Sequence, residues 1–168
     1  MGAAALPALP ALLKALERGD TQVDDALLKI SKASGAAAVP ALTNVLASAN
    51  PTSREKAAEL LGEIGPEAHA SIPLLEGRLR DTEPRVLAHS ALALWKIDGR
   101  THGAVHLLAQ LLTRDNPEAR AIGATALGEF GMQSAEAVPI LISALEDCDP
   151  MVRAMSAQIG RASCRERV

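Results

Sequence analysis

One spacing governs what this chain can fold into. Stepping by 33 residues from Pro7 meets Pro40, Pro73, His106 and Pro139. The residues just before them are Leu6, Val39, Ile72, Val105 and Val138, and two places after come Leu9, Leu42, Leu75, Leu108 and Leu141. Six places after stand Leu13, Leu46, Leu79, Leu112 and Leu145. A second ladder keeps the same register without a gap: Pro51, Pro84, Pro117 and Pro150, preceded by Asn50, Glu83, Asn116 and Asp149. Leu28, Leu61, Leu94 and Leu127 form a further rung, as do Ala58, Ala91, Ala124 and Ala157. A unit of this length cannot bury its apolar stripe alone, so neighbours must stack and the core must run along the array.

The columns read as helices. Asn or Asp before Pro is a helix start, because the side chain accepts from an orphan N–H and proline at the first position loses no needed bond. Glu83 is the weak cap of the set. From Pro51 the spacing of Ala57, Leu60, Leu61 and Ile64 traces one stripe, and Gly65 is expected to supply a left-handed stop. Ile72, Leu75 and Leu79 mark a second helix with Pro73 in its first turn, and Asp81 and Thr82 fall in the turn to the next repeat. Each repeat is therefore helix A, a short turn, and helix B. Full repeats are expected at 18–50, 51–83, 84–116 and 117–149, after a lone B helix at 2–17 and before a partial A helix at 150–158.

Composition agrees with an all-α chain. Almost half the residues are apolar, yet there is one Trp, one Phe and no Tyr, so alanine and leucine do most of the burying. A formal charge of −3 argues against a general grip on nucleic acid. Cys148 and Cys164 are too few for a disulfide framework. No run approaches the length of a membrane span, and the apolar N-terminus carries Pro7 and Pro10 and no basic n-region. The expectation is a soluble, cytoplasmic protein without a membrane or nucleic-acid partner.

The columns resemble the short HEAT-like repeat of the phycobilisome-lyase type. The residues that carry the likeness are Asn116-Pro117, Ala119-Arg120, Leu127-Gly128-Glu129-Phe130-Gly131 and Ala137-Val138-Pro139-Ile140-Leu141. Arg54, Leu61-Gly62-Glu63-Ile64-Gly65 and Ile72-Pro73-Leu74-Leu75 repeat it. The ankyrin Thr-Pro-Leu-His start and the tetratricopeptide Trp/Gly/Tyr pattern are absent. The resemblance spans residues 2–158 and implies an α-solenoid, a right-handed superhelix of stacked antiparallel helix pairs. The repeat at 84–116 departs most: its Arg is at 85 rather than the expected 87, Trp95 and Lys96 flank the Leu rung, and His106 replaces proline.

The repeat also breaks. The Leu rung falls due at Gly160, and residues 159–168, Ile-Gly-Arg-Ala-Ser-Cys-Arg-Glu-Arg-Val, are basic and lack the helical pattern. That string resembles the in-frame translation of a sequencing-library adapter. It is expected to be non-native, with the array continuing past both ends. The open ends are expected to fray at 150–168 or to self-associate.

No catalytic constellation emerges. His102 and His106 share a helical face at zinc-ligand spacing, but no third ligand accompanies them. The four histidines are followed by Ala70, Ser90, Gly103 and Leu107, so the His-Glu dipeptides of di-iron HEAT-like enzymes are missing. Glu59, Glu63, Glu129 and Glu146 read as solvent-face charges. No metal and no cofactor is expected. Trp95 is either an exposed anchor for a partner or packed under the loop Asp98 to Gly103.

By resemblance the B helices line a concave face, presenting Thr43, Asn44, Glu76, Arg80, Gln110, Thr113, Ser143 and Glu146, with Trp95 beside them. Such a mixed surface suits a protein or peptide partner, and a non-catalytic scaffold is the expected function. The rival is a phycobilin-lyase-like or other enzyme subunit whose active site needs a partner chain or further repeats.

Overall fold

A computed structural model describes residues 6–18, 20–99, 103–130 and 138–165. Its α-helices are α1 (Leu9–Glu17), α2 (Asp24–Ser34), α3 (Val39–Val45), α4 (Pro51–Ile64) and α5 (Ile72–Arg78), then α6 (Pro84–Asp98), α7 (Ala104–Leu111), α8 (Pro117–Phe130), α9 (Val138–Ala144) and α10 (Pro150–Arg165). No strand occurs among the described residues. The chain forms two compact blocks, Met1–Gly99 and Arg100–Val168.

Four helices begin on the expected prolines, Pro51, Pro84, Pro117 and Pro150. Asn50 Oδ1 accepts from Thr52 N–H at 2.9 Å, Asn116 Oδ1 from Glu118 N–H at 2.8 Å, and Asp149 Oδ1 from Met151 N–H at 2.8 Å. Glu83 holds the extended cap geometry but makes no side-chain cap bond. Its longer chain places the carboxylate past the N–H groups that a one-carbon side chain reaches.

In the first block the A helices α2, α4 and α6 pack side by side, with α3 against α4 and α5 against α6. Leu9, Leu13, Leu27, Leu42, Leu46, Leu60, Leu61 and Leu75 are buried in one continuous core between the two layers. Gly62 lets α4 approach α6: a Cβ there would stand 3.0 Å from the Ala93 Cα. In the second block α8 packs on α7 and on α10, and a Cβ at Gly123 would stand 2.9 Å from both the Leu108 carbonyl and the Leu111 Cβ. Within each block the stack of helical layers is that of an α-solenoid.

Three details differ from expectation. Gly65 has a positive φ of 73°, but its ψ of −142° lies in a region open essentially to glycine rather than in the left-handed helical one. The chain there enters a 3-10 segment, Gly65–Ser71, that feeds α5 directly, so the expected short A–B turn is a helical one. Leu79 is half-buried where full burial is expected. α10 runs on through Gly160 to Arg165, beyond the break in the repeat pattern. One interior glycine costs only about 1 kcal/mol of helix propensity, and the well-capped start at Asp149-Pro150 lets the helix propagate past it.

Candidate interaction surface

The B helices set inward and outward columns by the same register. Leu9, Leu42, Leu75, Leu108 and Leu141 are all buried. Helical spacing then turns the neighbouring columns outward. Asn44, Gly77, Gln110 and Ser143 are exposed, as are Ala47, Arg80, Thr113 and Glu146, and Pro40, Pro73, His106 and Pro139.

Of the residues singled out from sequence, Asn44, Glu76, Arg80, Gln110, Thr113, Ser143 and Glu146 are exposed, and Thr43 is half-buried. Thr43 Oγ1 donates to the Pro40 carbonyl at 2.9 Å, and Thr113 Oγ1 donates to the Gln110 carbonyl at 2.9 Å. These hydroxyls are therefore turned back on their own helices. Gln110 Nε2 lies 3.0 Å from His106 Nε2. In the second block Thr113 and Ser143 share an open cleft of about 420 Å³ with Leu112, Pro139, Ile140, Ala144 and Asp147. Thr43, Asn44, Glu76 and Arg80 belong to the first block.

Trp95 is half-buried on α6, and its carbonyl accepts from Gly99 N–H at 2.8 Å. Residues 100–102 of the loop expected to cover it lie outside the described residues, and with them His102 of the histidine pair. Among the described residues no group of three or more His, Cys, Asp and Glu is arranged to hold a metal.

Two charged arrangements escape the sequence reading. Glu63, read as a solvent-face charge, is half-buried and bridges two helices: Lys32 Nζ and Lys96 Nζ each lie 2.7 Å from its carboxylate. The bonds from Lys32 and then Lys96 hold its carboxyl down to about 2, against the opposing effect of burial. The other arrangement is an arginine clamp. Arg54 grips Asp81 through Nε and Nη2, each at 2.9 Å, and its Nη1 donates to the Ser48 and Ala49 carbonyls. Burial opposes ionisation of Asp81, but the bonds from Arg54 and from Glu83 N–H outweigh it and hold the carboxyl below its ordinary range. In the second block Arg120 binds Asp147 at 2.7 and 2.9 Å and the Arg114 and Asp115 carbonyls at 3.0 and 2.8 Å. Arg120, helped by Asp149 N–H, holds Asp147 down to about 2. Arg153 donates to the Asp147 and Cys148 carbonyls, so a third member of the arginine column repeats the backbone half of the clamp. The signal was available in the sequence: Arg54, Arg120 and Arg153 share one column, and Asp81 and Asp147 share another.

No helix among the described residues is long and apolar enough to cross a membrane. No curated protein matches the chain. Among solved structures, the crystal structure of an engineered protein aligns with a TM-score of 0.55 at 20% identity, covering 95% of this chain and 72% of that one. A likeness at that identity speaks for the fold alone. The profile of HEAT repeats matches residues 9–96 and 104–159. With that match over most of its length and paired A and B helices within each block, this chain is a member of the HEAT-repeat family.

Proposed function

We propose that the chain is a non-catalytic scaffold that binds a protein or peptide partner along its B helices. The observation that supports this reading holds in each block by itself: Asn44 and Gly77 in the first block and Gln110 and Ser143 in the second are exposed on their B helices, as are Ala47, Arg80, Thr113 and Glu146 just beyond the helix ends, while the leucines behind them are buried. A surface of small and mixed polar side chains on a rigid core can be changed without unfolding, which suits recognition. Its balance of Arg80 and Glu146 with uncharged residues favours a partner of mixed charge over nucleic acid or an anionic membrane.

The test is affinity capture with the wild-type chain and with a variant carrying Arg80→Glu, Gln110→Ala and Thr113→Glu. The scaffold reading expects a partner that the wild type retains and the variant loses while the helical circular dichroism is unchanged. Equal capture by both proteins would reject the B-helix surface.

The rival reading, an enzyme subunit of the phycobilisome-lyase type, draws its support from the Leu61-Gly62-Glu63-Ile64-Gly65 and Leu127-Gly128-Glu129-Phe130-Gly131 columns. In the first of these stretches the glycines are structural, since Gly62 permits helix contact and Gly65, at φ +73°, a turn. Formation of a pigment adduct in the presence of this chain would favour the rival.

A further inference from the structure

The lining positions of the second block's cleft recur two repeats earlier, on α5 and the turn after it. In register, Ile140, Ser143, Ala144 and Asp147 correspond to Leu74, Gly77, Arg78 and Asp81. α5 has full repeats before and after it in sequence. Leu74 is 46% exposed and is the one large hydrophobe left exposed among the described residues of the first block. Gly77 leaves open space, since a Cβ there would meet nothing within 4 Å. Leu74, Gly77 and Arg78 follow i, i+3, i+4 spacing and so share one side of the helix. Arg78 brings a guanidinium to a column that otherwise holds Val45, Leu111 and Ala144.

The fold does not need that guanidinium. Arg120 and Asp147 form a complete clamp with Ala144 at the position of Arg78. In the first block Arg54 already holds both oxygens of Asp81, and Arg78 Nη1 reaches Asp81 Oδ2 only at 3.4 Å. Arg78 Nε finds no hydrogen-bond partner among the described residues, and the side chain is 33% exposed. Placing a guanidinium where its column is apolar is costly, and the fold recovers little of that cost. Charge then selects the ligand. α3 carries no charged residue, and with Asp81 paired to Arg54, α5 and the turn after it present Arg78 and Arg80 against Glu76. Two arginines beside a leucine are too few for nucleic-acid phosphates and suit a carboxylate next to an apolar side chain.

We propose that this side of α5 docks an acidic segment of a protein partner, with a carboxylate held by Arg78 and a neighbouring apolar side chain set on Leu74 beside Gly77. The proposal rests on the scaffold reading above and names the partner's chemistry. A guanidinium takes a carboxylate through two parallel bonds, and the apolar contact adds burial that a surface ion pair lacks.

The test is fluorescence anisotropy of the full chain with a labelled Glu-Glu-Leu-Glu-Glu peptide, and with counterparts carrying Gln for Glu or Ser for Leu. The acidic leucine peptide should bind about tenfold or more tighter than either counterpart, and less tightly as salt rises. Arg78→Leu installs the side chain that the column holds at Leu111 and should weaken binding by about tenfold or more, because charge-assisted bonds are lost. Gly77→Leu suits a helix, fills the open space and should weaken binding as much. Gln110→Ala, in the second block, should leave it unchanged, and all three variants should keep the helical circular dichroism. Equal binding of the Gln or Ser peptide, or tighter binding of a short single-stranded DNA, would overturn the proposal. So would indifference to either Arg78→Leu or Gly77→Leu, or an equal loss on Gln110→Ala. If the proposal failed while the Arg80→Glu, Gln110→Ala, Thr113→Glu variant still lost its captured partner, the scaffold would stand with a partner of other chemistry. Equal capture by wild type and that variant would instead remove the B-helix reading on which the proposal rests.

Discussion

Arg54 and Asp81 lie 27 residues apart and meet through two parallel hydrogen bonds of 2.9 Å, so that one guanidinium ties the turn before its repeat to the turn after it. Two repeats later Arg120 and Asp147 are joined in the same way. The repeat between them carries Leu87 and Arg114 at the corresponding positions, so both partners are replaced together. Leu87 is buried and Arg114 is exposed, which leaves no half of a clamp in a low-dielectric site. Removing only one partner would have left a part-buried charge without its counter-ion.

That pairing sets a stability prediction. Arg54→Leu should cost about 2 kcal/mol, since it removes charge-assisted bonds from a mostly buried site and leaves Asp81 under-satisfied. Asp81→Arg should also destabilise, by setting two guanidinium groups against each other. The double variant Arg54→Leu/Asp81→Arg reproduces the pair found in the neighbouring repeat and should cost less than the sum of the singles. Urea midpoints for the four proteins check this, and strict additivity would argue against coupling.

The two glycines of α4 and α5 should respond oppositely to alanine. Gly62→Ala puts a methyl group 3.0 Å from the Ala93 Cα and 3.2 Å from its Cβ, so α4 and α6 must separate. The expected loss is about 1–3 kcal/mol, the usual cost of overpacking. Gly77 is exposed and helical, and a Cβ there meets nothing within 4 Å. Gly77→Ala should therefore stabilise the chain by about 0.5–1 kcal/mol. Thermal unfolding of the two variants would show the opposite signs.

Glu83 offers a second stabilising change. Its backbone already holds φ −83° and ψ 118°, close to the −77° and 118° of the capping Asn50, but its side chain caps nothing. Glu83→Asn should gain about 1 kcal/mol, and Asn50→Ala should lose about as much. Denaturation midpoints that do not move for either variant would show that these caps carry no stability.

Acid sensitivity follows from Glu63. Its carboxyl is held at about 2 in the folded chain, whereas an unfolded glutamate titrates near about 4.3. Above about pH 4.3 the carboxylate is ionised in both states and the stabilisation from Lys32 and Lys96 is fully present. As pH falls below that value the unfolded chain takes up the proton first, and the contribution is lost progressively until the folded pKa is passed. Glu63→Gln should thus flatten the stability-versus-pH curve between about pH 4.3 and 2 while lowering stability at neutral pH. Urea melts at neutral pH and across that acid window test it.

Much of the architecture was legible in the residues alone. Asn50-Pro51, Asn116-Pro117 and Asp149-Pro150 start helices because a capping side chain and a proline act within one turn. Leu42, Leu75 and Leu108 lie inside because the 3.6-residue helical period and the 33-residue repeat together place them on one face. Tertiary structure decided how separate repeats touch. Only the stacking of α2, α4 and α6 sets Lys32 and Lys96 on either side of Glu63, and only the fold of a whole repeat returns Asp81 to Arg54. It also decided that Val138 and Leu145 are exposed where Val39, Ile72, Val105, Leu46 and Leu112 at the same repeat positions are buried. Local chemistry is written within a turn of helix, whereas burial and ion pairing depend on which neighbour the stacked helices bring within a few ångströms.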